Sequence, residues 1–165
     1  MRATSRKPLA LASAGTTLAL AAAGGTAALA TAPSGENVAP LARGALVKPA
    51  NVDRKVTGGR VTIKTHGPLD ALMLNVTLAP GGTGGWHKHA GTLITIVRQG
   101  TLTMFDAKCK RHDISAGHAM ISPGSTPSKD ENKGTSPVTF DVTFVIPHGA
   151  ASPRIDQPAP AGCTA

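Results

Sequence analysis

The sequence predicts an all-β domain, an antiparallel sandwich or barrel, and three observations carry that expectation. Short runs of alternating, β-branched residues recur along the chain, as in Arg60-Val61-Thr62-Ile63-Lys64-Thr65 and Val138–Ile146. Glycine and proline turns separate them: Pro80-Gly81-Gly82, Gln99-Gly100, Ala116-Gly117, Pro123-Gly124 and Lys133-Gly134. Beyond the first thirty residues no stretch has the period of a substantial amphipathic helix. The apolar bulk is Val, Ile and Leu; aromatic residues are 2% of the chain, with one Trp, three Phe and no Tyr. Aliphatic, β-branched strands suit a closed barrel, whose interior is narrow.

The elements follow in order. Residues 1–30 open with Arg2, Arg6 and Lys7, continue through an uncharged Ala, Leu, Gly and Thr stretch, and end Ala28-Leu29-Ala30. A basic start, an apolar middle and a small-x-small end describe a secretory signal peptide. Residues 31–54 are rich in Ala, Pro and Gly without a period and read as a flexible linker. Residues 55–150 hold the strands: 60–65, 70–79 with Leu72, Leu74, Val76 and Leu78 at period two, 92–98, 101–105, 119–122 and 138–146. The run Gly81-Gly82-Thr83-Gly84-Gly85 reads as a flexible hairpin turn. Residues 151–165 form a C-terminal tail.

Charge narrows the function. The whole chain carries 17 Lys and Arg against 9 Asp and Glu. Removing residues 1–30 takes away three basic residues and no acid, leaving 14 against 9, a net +5. That is a mild solubilising charge. With so few aromatic faces for base stacking, nucleic acid is not an expected partner. After signal cleavage no stable membrane insertion is expected, and the protein is placed outside the cell or on the outer side of its envelope. In an oxidising compartment the even pair Cys109 and Cys163 reads as a disulfide, with two free thiols as the alternative.

The informative site is Trp86-His87-Lys88-His89. In an extended segment His87 and His89 share a face, about 7 Å apart along the strand, and can converge on one metal ion. Alone, His-x-His is a weak signal. Its surroundings sharpen it: Gly81, five residues, His87, His89, three residues to position 93, six residues to Gly100. This spacing resembles the first conserved motif of the cupin family. Gly117, Pro123 and Asn132 fall at the spacings of the second motif. More narrowly, the chain is similar to small secreted single-domain cupins of high-GC bacteria, whose layout also supports the pairing of Cys109 with Cys163. The resemblance implies a single jelly-roll antiparallel β-barrel, and it admits a homodimer.

The departures fall on the metal. Cupins that bind one usually offer three histidines and a glutamate. Here Leu93 stands where the carboxylate belongs, Ser125 replaces a glycine, and Ser128 stands at the third histidine. Asp130 shares the face of Ser128 in an extended segment and is the candidate third ligand beside His87 and His89. One divalent ion, Fe, Mn, Zn or Ni, is the cofactor the resemblance admits. Trp86, Leu93, Ser128 and Asn132 are candidate pocket residues. His66, His112, His118 and His148 are assigned to surface turns and strand ends.

Three functions follow from these residues. The first is small-molecule binding in the barrel with a degenerate two-histidine metal site. The second is a metal-dependent oxygenase or isomerase using His87 and His89. The third is an envelope interaction protein using the barrel as a scaffold. No general base stands beside the histidine pair in the sequence, which favours binding over catalysis and leaves enzymatic activity open.

Overall fold

A computed structural model describes residues 29–164, so the segment read as a signal peptide lies almost wholly outside the described residues. Eleven strands and no helix occupy them: β1 (Ser34–Ala45), β2 (Asn51–Val56), β3 (Gly59–Lys64), β4 (Leu69–His89), β5 (Thr92–Gln99), β6 (Thr101–Phe105), β7 (Arg111–Ser115), β8 (Ala119–Ser122), β9 (Ser128–Glu131), β10 (Val138–Pro147) and β11 (Arg154–Asp156). Nine of them form one antiparallel sheet, ordered β7-β6-β9-β4-β10-β5-β8, with β1 and β11 also on β4. The result is a nearly closed β-barrel of jelly-roll type.

Strand β4 organises it. Its first half, Leu69–Leu78, lies between β1 and β10. Its second half, from Thr83, lies between β9 and β11. One long strand thus serves both walls, and it changes partners across the glycine run. That run is no hairpin turn, as the sequence suggested. The strand continues through it, with a register shift between Thr83 and Gly85. Gly85 takes φ of +65°, and a Cβ there would stand 2.4 Å from the Thr31 carbonyl oxygen. Only glycine meets both demands cheaply. The residues supply a bend within a strand, where Gly-rich sequence alone reads equally as a turn.

The barrel interior follows period two. In β10, Val138, Phe140, Val142, Phe144 and Ile146 are buried, and the residues between them are only partly covered. Leu72, Val76 and Leu78 of β4, Leu93 and Val97 of β5, and Leu102 of β6 join them in one cluster. Each such side chain contributes about 1.5–3 kcal/mol when fully buried.

Two expectations need correction. Residues 31–54 are not a linker: β1 lies within them and β2 begins there. Strand β1 is exposed along almost its whole length, so no buried face signals it. Backbone pairing to β4 holds it, and its Pro40 sits at a register shift, where a missing N–H costs little. The second concerns 60–65. Strand β3 covers residues 60–64 of this run but pairs only with β2, in a two-stranded sheet apart from the barrel. At the other end, Cys109 and Cys163 form a disulfide with Cα atoms 5.4 Å apart. It ties the C-terminal tail to the β6–β7 turn, and closing so long a loop stabilises by at most about 4 kcal/mol.

Candidate functional site

The barrel holds a partly open cavity of about 210 Å³. Most of its wall is apolar, from Leu74, Val76, Leu93, Leu102, Phe140, Val142 and Phe144. Its polar end gathers His87, His89, Ser128, Asp130, Glu36 and Arg154 from four strands. Register explains the convergence. β9 places Ser128 opposite His87 and Asp130 opposite Gly85. With no side chain at Gly85, the Asp130 carboxylate leans to 4.0 Å from His87 Nε2. β11 places Arg154 opposite His89.

The imidazoles are held from behind. His87 Nδ1 lies 2.9 Å from the Gly85 carbonyl, and His89 Nδ1 lies 3.3 Å from the Pro153 carbonyl. A carbonyl only accepts, so each Nδ1 carries the hydrogen and each Nε2 keeps its lone pair. The two rings meet edge to face with centroids 4.7 Å apart, and His89 also packs on Phe144 at 5.1 Å. His87 is 3% exposed.

Burial sets the protonation. It pushes both imidazoles down to about 4, helped by Arg154 at His87 and by His87 at His89. Both are neutral at pH 7. Burial pushes the Asp130 carboxyl above its ordinary range, against the pull of His89 and Arg154. Glu36 is raised for the same reason: burial outweighs the attraction of Arg154, and Asp130 and Asp156 add repulsion. Arg154 stands 3.9 Å from Glu36, donates to Asp156 at 2.5 Å, and donates a further hydrogen bond to the Gly84 carbonyl.

The expected site residues divide. His87, His89, Asp130, Leu93 and Ser128 all line the cavity. Trp86 and Asn132 do not. Strand alternation turns Trp86 outward from the histidines, against the C-terminal tail, where its indole donates to the Thr164 carbonyl at 2.9 Å. Lys129 lies over its ring at 5.6 Å. Asn132 is a loop clamp: its amide donates to the carbonyls of Leu78, Ala79 and Ser136, and its oxygen accepts from Gly134 N–H. Glu36 and Arg154 were missed as site residues. The available signal was Glu36 itself, the only acid in residues 31–52, a segment otherwise without charge before Arg43.

Among the described residues no three His, Cys, Asp or Glu side chains gather closely enough to hold one ion. The two Nε2 atoms keep their lone pairs, and Asp130 Oδ2 stands 4.0 Å from that of His87, without completing a group of three. This arrangement does not fit a three-ligand metal site.

A family model agrees with the fold, and several solved structures are similar. Residues 74–147 match the model of the Cupin domain family. Among solved structures, a cupin domain of an XRE family transcriptional regulator from Enterobacter cloacae is 18% identical, with TM-score 0.40, covering 46% of this chain and 80% of that one. A cupin domain from Bordetella pertussis is 17% identical, with TM-score 0.42 and the same coverage, 46% and 80%. An oxalate oxidase solved with the substrate analogue glycolate is 27% identical, with TM-score 0.41, covering 45% of this chain and 41% of that one. No curated protein matches the chain. The family match at 74–147 covers the strands around the histidine pair and is similar in extent to the jelly-roll barrel described above.

Proposed function

We propose that this is a secreted cupin-domain protein that binds a small molecule in its barrel, with His87 and His89 at the polar end of the binding cavity. One observation carries the reading: a mostly apolar cavity in the barrel ends in a cluster of buried and half-buried polar side chains that line it. Export rests on the signal-peptide pattern of residues 1–30, and the Cys109–Cys163 disulfide suits an oxidising compartment. Nucleic acid and a membrane are not partners in this reading.

The test is a fragment screen by calorimetry on the purified protein and on a cavity-filled Leu93→Trp variant, with circular dichroism confirming that the variant folds. Saturable one-to-one binding, lost on filling the cavity, is expected. Binding untouched by the filling would place the ligand elsewhere and end the proposal.

A second reading has one observation in its favour. Both Nδ1 atoms rest on backbone carbonyls, as in histidines whose Nε2 binds a metal. This is the metal-dependent oxygenase or isomerase. Metal analysis of untagged protein decides: one bound equivalent, lost in a His87→Ala/His89→Ala double variant, selects it. No change in melting temperature across a metal titration removes it.

A further inference from the structure

The polar end of the cavity is rich in acceptors and poor in donors. His87 and His89 each spend their one N–H on a backbone carbonyl, leaving two Nε2 lone pairs. Asp130 faces the cavity with its side chain 17% exposed and 4.0 Å from His87 Nε2. Glu36 meets Arg154 only as an ion pair at 3.9 Å. Neither carboxylate accepts a hydrogen bond among the described residues. Among the described residues, the guanidinium of Arg154 is the one cation lining the cavity. It is already committed to Asp156 and the Gly84 carbonyl. An anionic ligand would have to approach this arginine past two carboxylates.

We propose that the ligand is an organic cation, a small amine or amidine whose charged head sits among Glu36, Asp130, His87 and His89 while its hydrocarbon body fills the apolar barrel. This rests on the cavity-binding reading above and adds the ligand's class. An N–H-bearing cation supplies what the site lacks, donors and positive charge together. A polyatomic head suits the site better than a bare ion. The acceptors are spread too widely for three of them to meet at one point. Several N–H bonds pointing in different directions can reach them separately. The walls suit the rest of the molecule: Leu74, Val76, Leu102, Met104, Phe140 and Phe144 offer no polar side-chain atoms beyond a thioether.

The experiment compares four ligands of one size by calorimetry at neutral pH, on full-length protein treated with EDTA. Benzylamine and benzamidine are the cations, benzyl alcohol the neutral counterpart and benzoate the anion. Both cations are expected to bind one to one, at least about tenfold tighter than benzyl alcohol. Asp130→Asn and Glu36→Gln should each weaken the cations by about tenfold and leave benzyl alcohol unchanged. Benzoate as the tightest ligand, or cations no tighter than benzyl alcohol, overturns the cation and leaves cavity binding standing. Cation affinity insensitive to both substitutions, or present only after zinc is added back, overturns it too. No binding of any of the four overturns the cavity reading along with it.

Discussion

Each end of β4 lies beside buried or half-buried carboxyl groups, and the two ends treat them in opposite ways. At the start of the strand Asp70 is 3% exposed and fully partnered. Arg43 donates to it at 2.8 Å from Nε, with Nη2 in ion-pair contact at 2.6 Å, His148 Nδ1 lies at 2.7 Å, and the Gly149 N–H donates at 3.2 Å. The hydrogen bonds from His148 and Arg43 hold its carboxyl down at about 2. At the far end, burial pushes Asp130 and Glu36 up instead, because no hydrogen-bond donor meets either of them among the described residues. A buried acid whose oxygens are all used holds the fold together. A buried acid whose oxygens face a cavity costs stability and waits for a partner.

The largest test of this contrast is Asp70→Ala. It strands Arg43 and His148 and unties β1 and the β10–β11 loop from β4. Breaking a buried, hydrogen-bonded pair is strongly destabilising, and the melting temperature should fall on the order of ten degrees. The parent protein carries the same signature in acid. The Asp70 pKa is depressed, so its stabilisation is complete above the ordinary carboxylate range, near 3.8, and disappears as pH falls through about 2. A melting temperature unchanged by Asp70→Ala would break the contrast at its structural end.

At the cavity end the sign should reverse. Asp130→Asn removes a carboxyl that burial penalises when charged, so it should stabilise the ligand-free protein at pH 7 by about 1 kcal/mol. A raised pKa means that the acid stabilises below its ordinary pKa and loses this as pH rises through the higher folded value. The advantage of the variant should therefore grow from pH 4 to pH 8. His87 and His89 act oppositely. Held down at about 4, they stabilise fully above 6.5 and lose this as pH falls toward 4. Urea melts across that range, parent against variant, separate the two. A variant less stable than the parent at pH 7 would make Asp130 a structural acid like Asp70.

How much of this was legible in the sequence depends on what each residue answers to. The β10 strand was legible because Val138 to Ile146 alternate against one core, and period two survives in sequence. The facing of His87 and His89 was legible for the same reason. Strand β1 was not, since it buries almost nothing and depends on β4 for its hydrogen bonds. Glu36 went unseen with it. A carboxyl that reaches the site from an edge strand leaves no local pattern, only an isolated charge in an uncharged stretch. The glycine run misled in a different way. Glycine reports that unusual backbone is needed at 81–85, and a bend within β4 and a hairpin demand the same residues. Trp86 and Asn132 stood at the right spacings, but adjacency in sequence sent Trp86 to the opposite face of its strand.

The smallest expected effect comes from an ion pair of the same chemistry in neither place. Arg98 Nη1 and Asp141 Oδ2 stand 3.6 Å apart, with side chains 60% and 27% exposed. They lie between the two ends, on β5 and β10. Water already solvates this arginine, so the pair gains little Coulomb energy, and holding two side chains in one geometry costs entropy. Asp141 also keeps a 2.7 Å hydrogen bond from Asn75 Nδ2, so removing the arginine leaves no orphaned charge. Arg98→Ala should change stability by less than about 0.5 kcal/mol, read by urea denaturation, and the difference should shrink further in 1 M salt. An Arg–Asp pair thus serves as the control for Arg43 and Asp70: the two differ in burial and in the number of hydrogen bonds. If Arg98→Ala cost as much as Asp70→Ala, charge pairing alone would govern both, and the contrast between the ends of β4 would lose its physical basis.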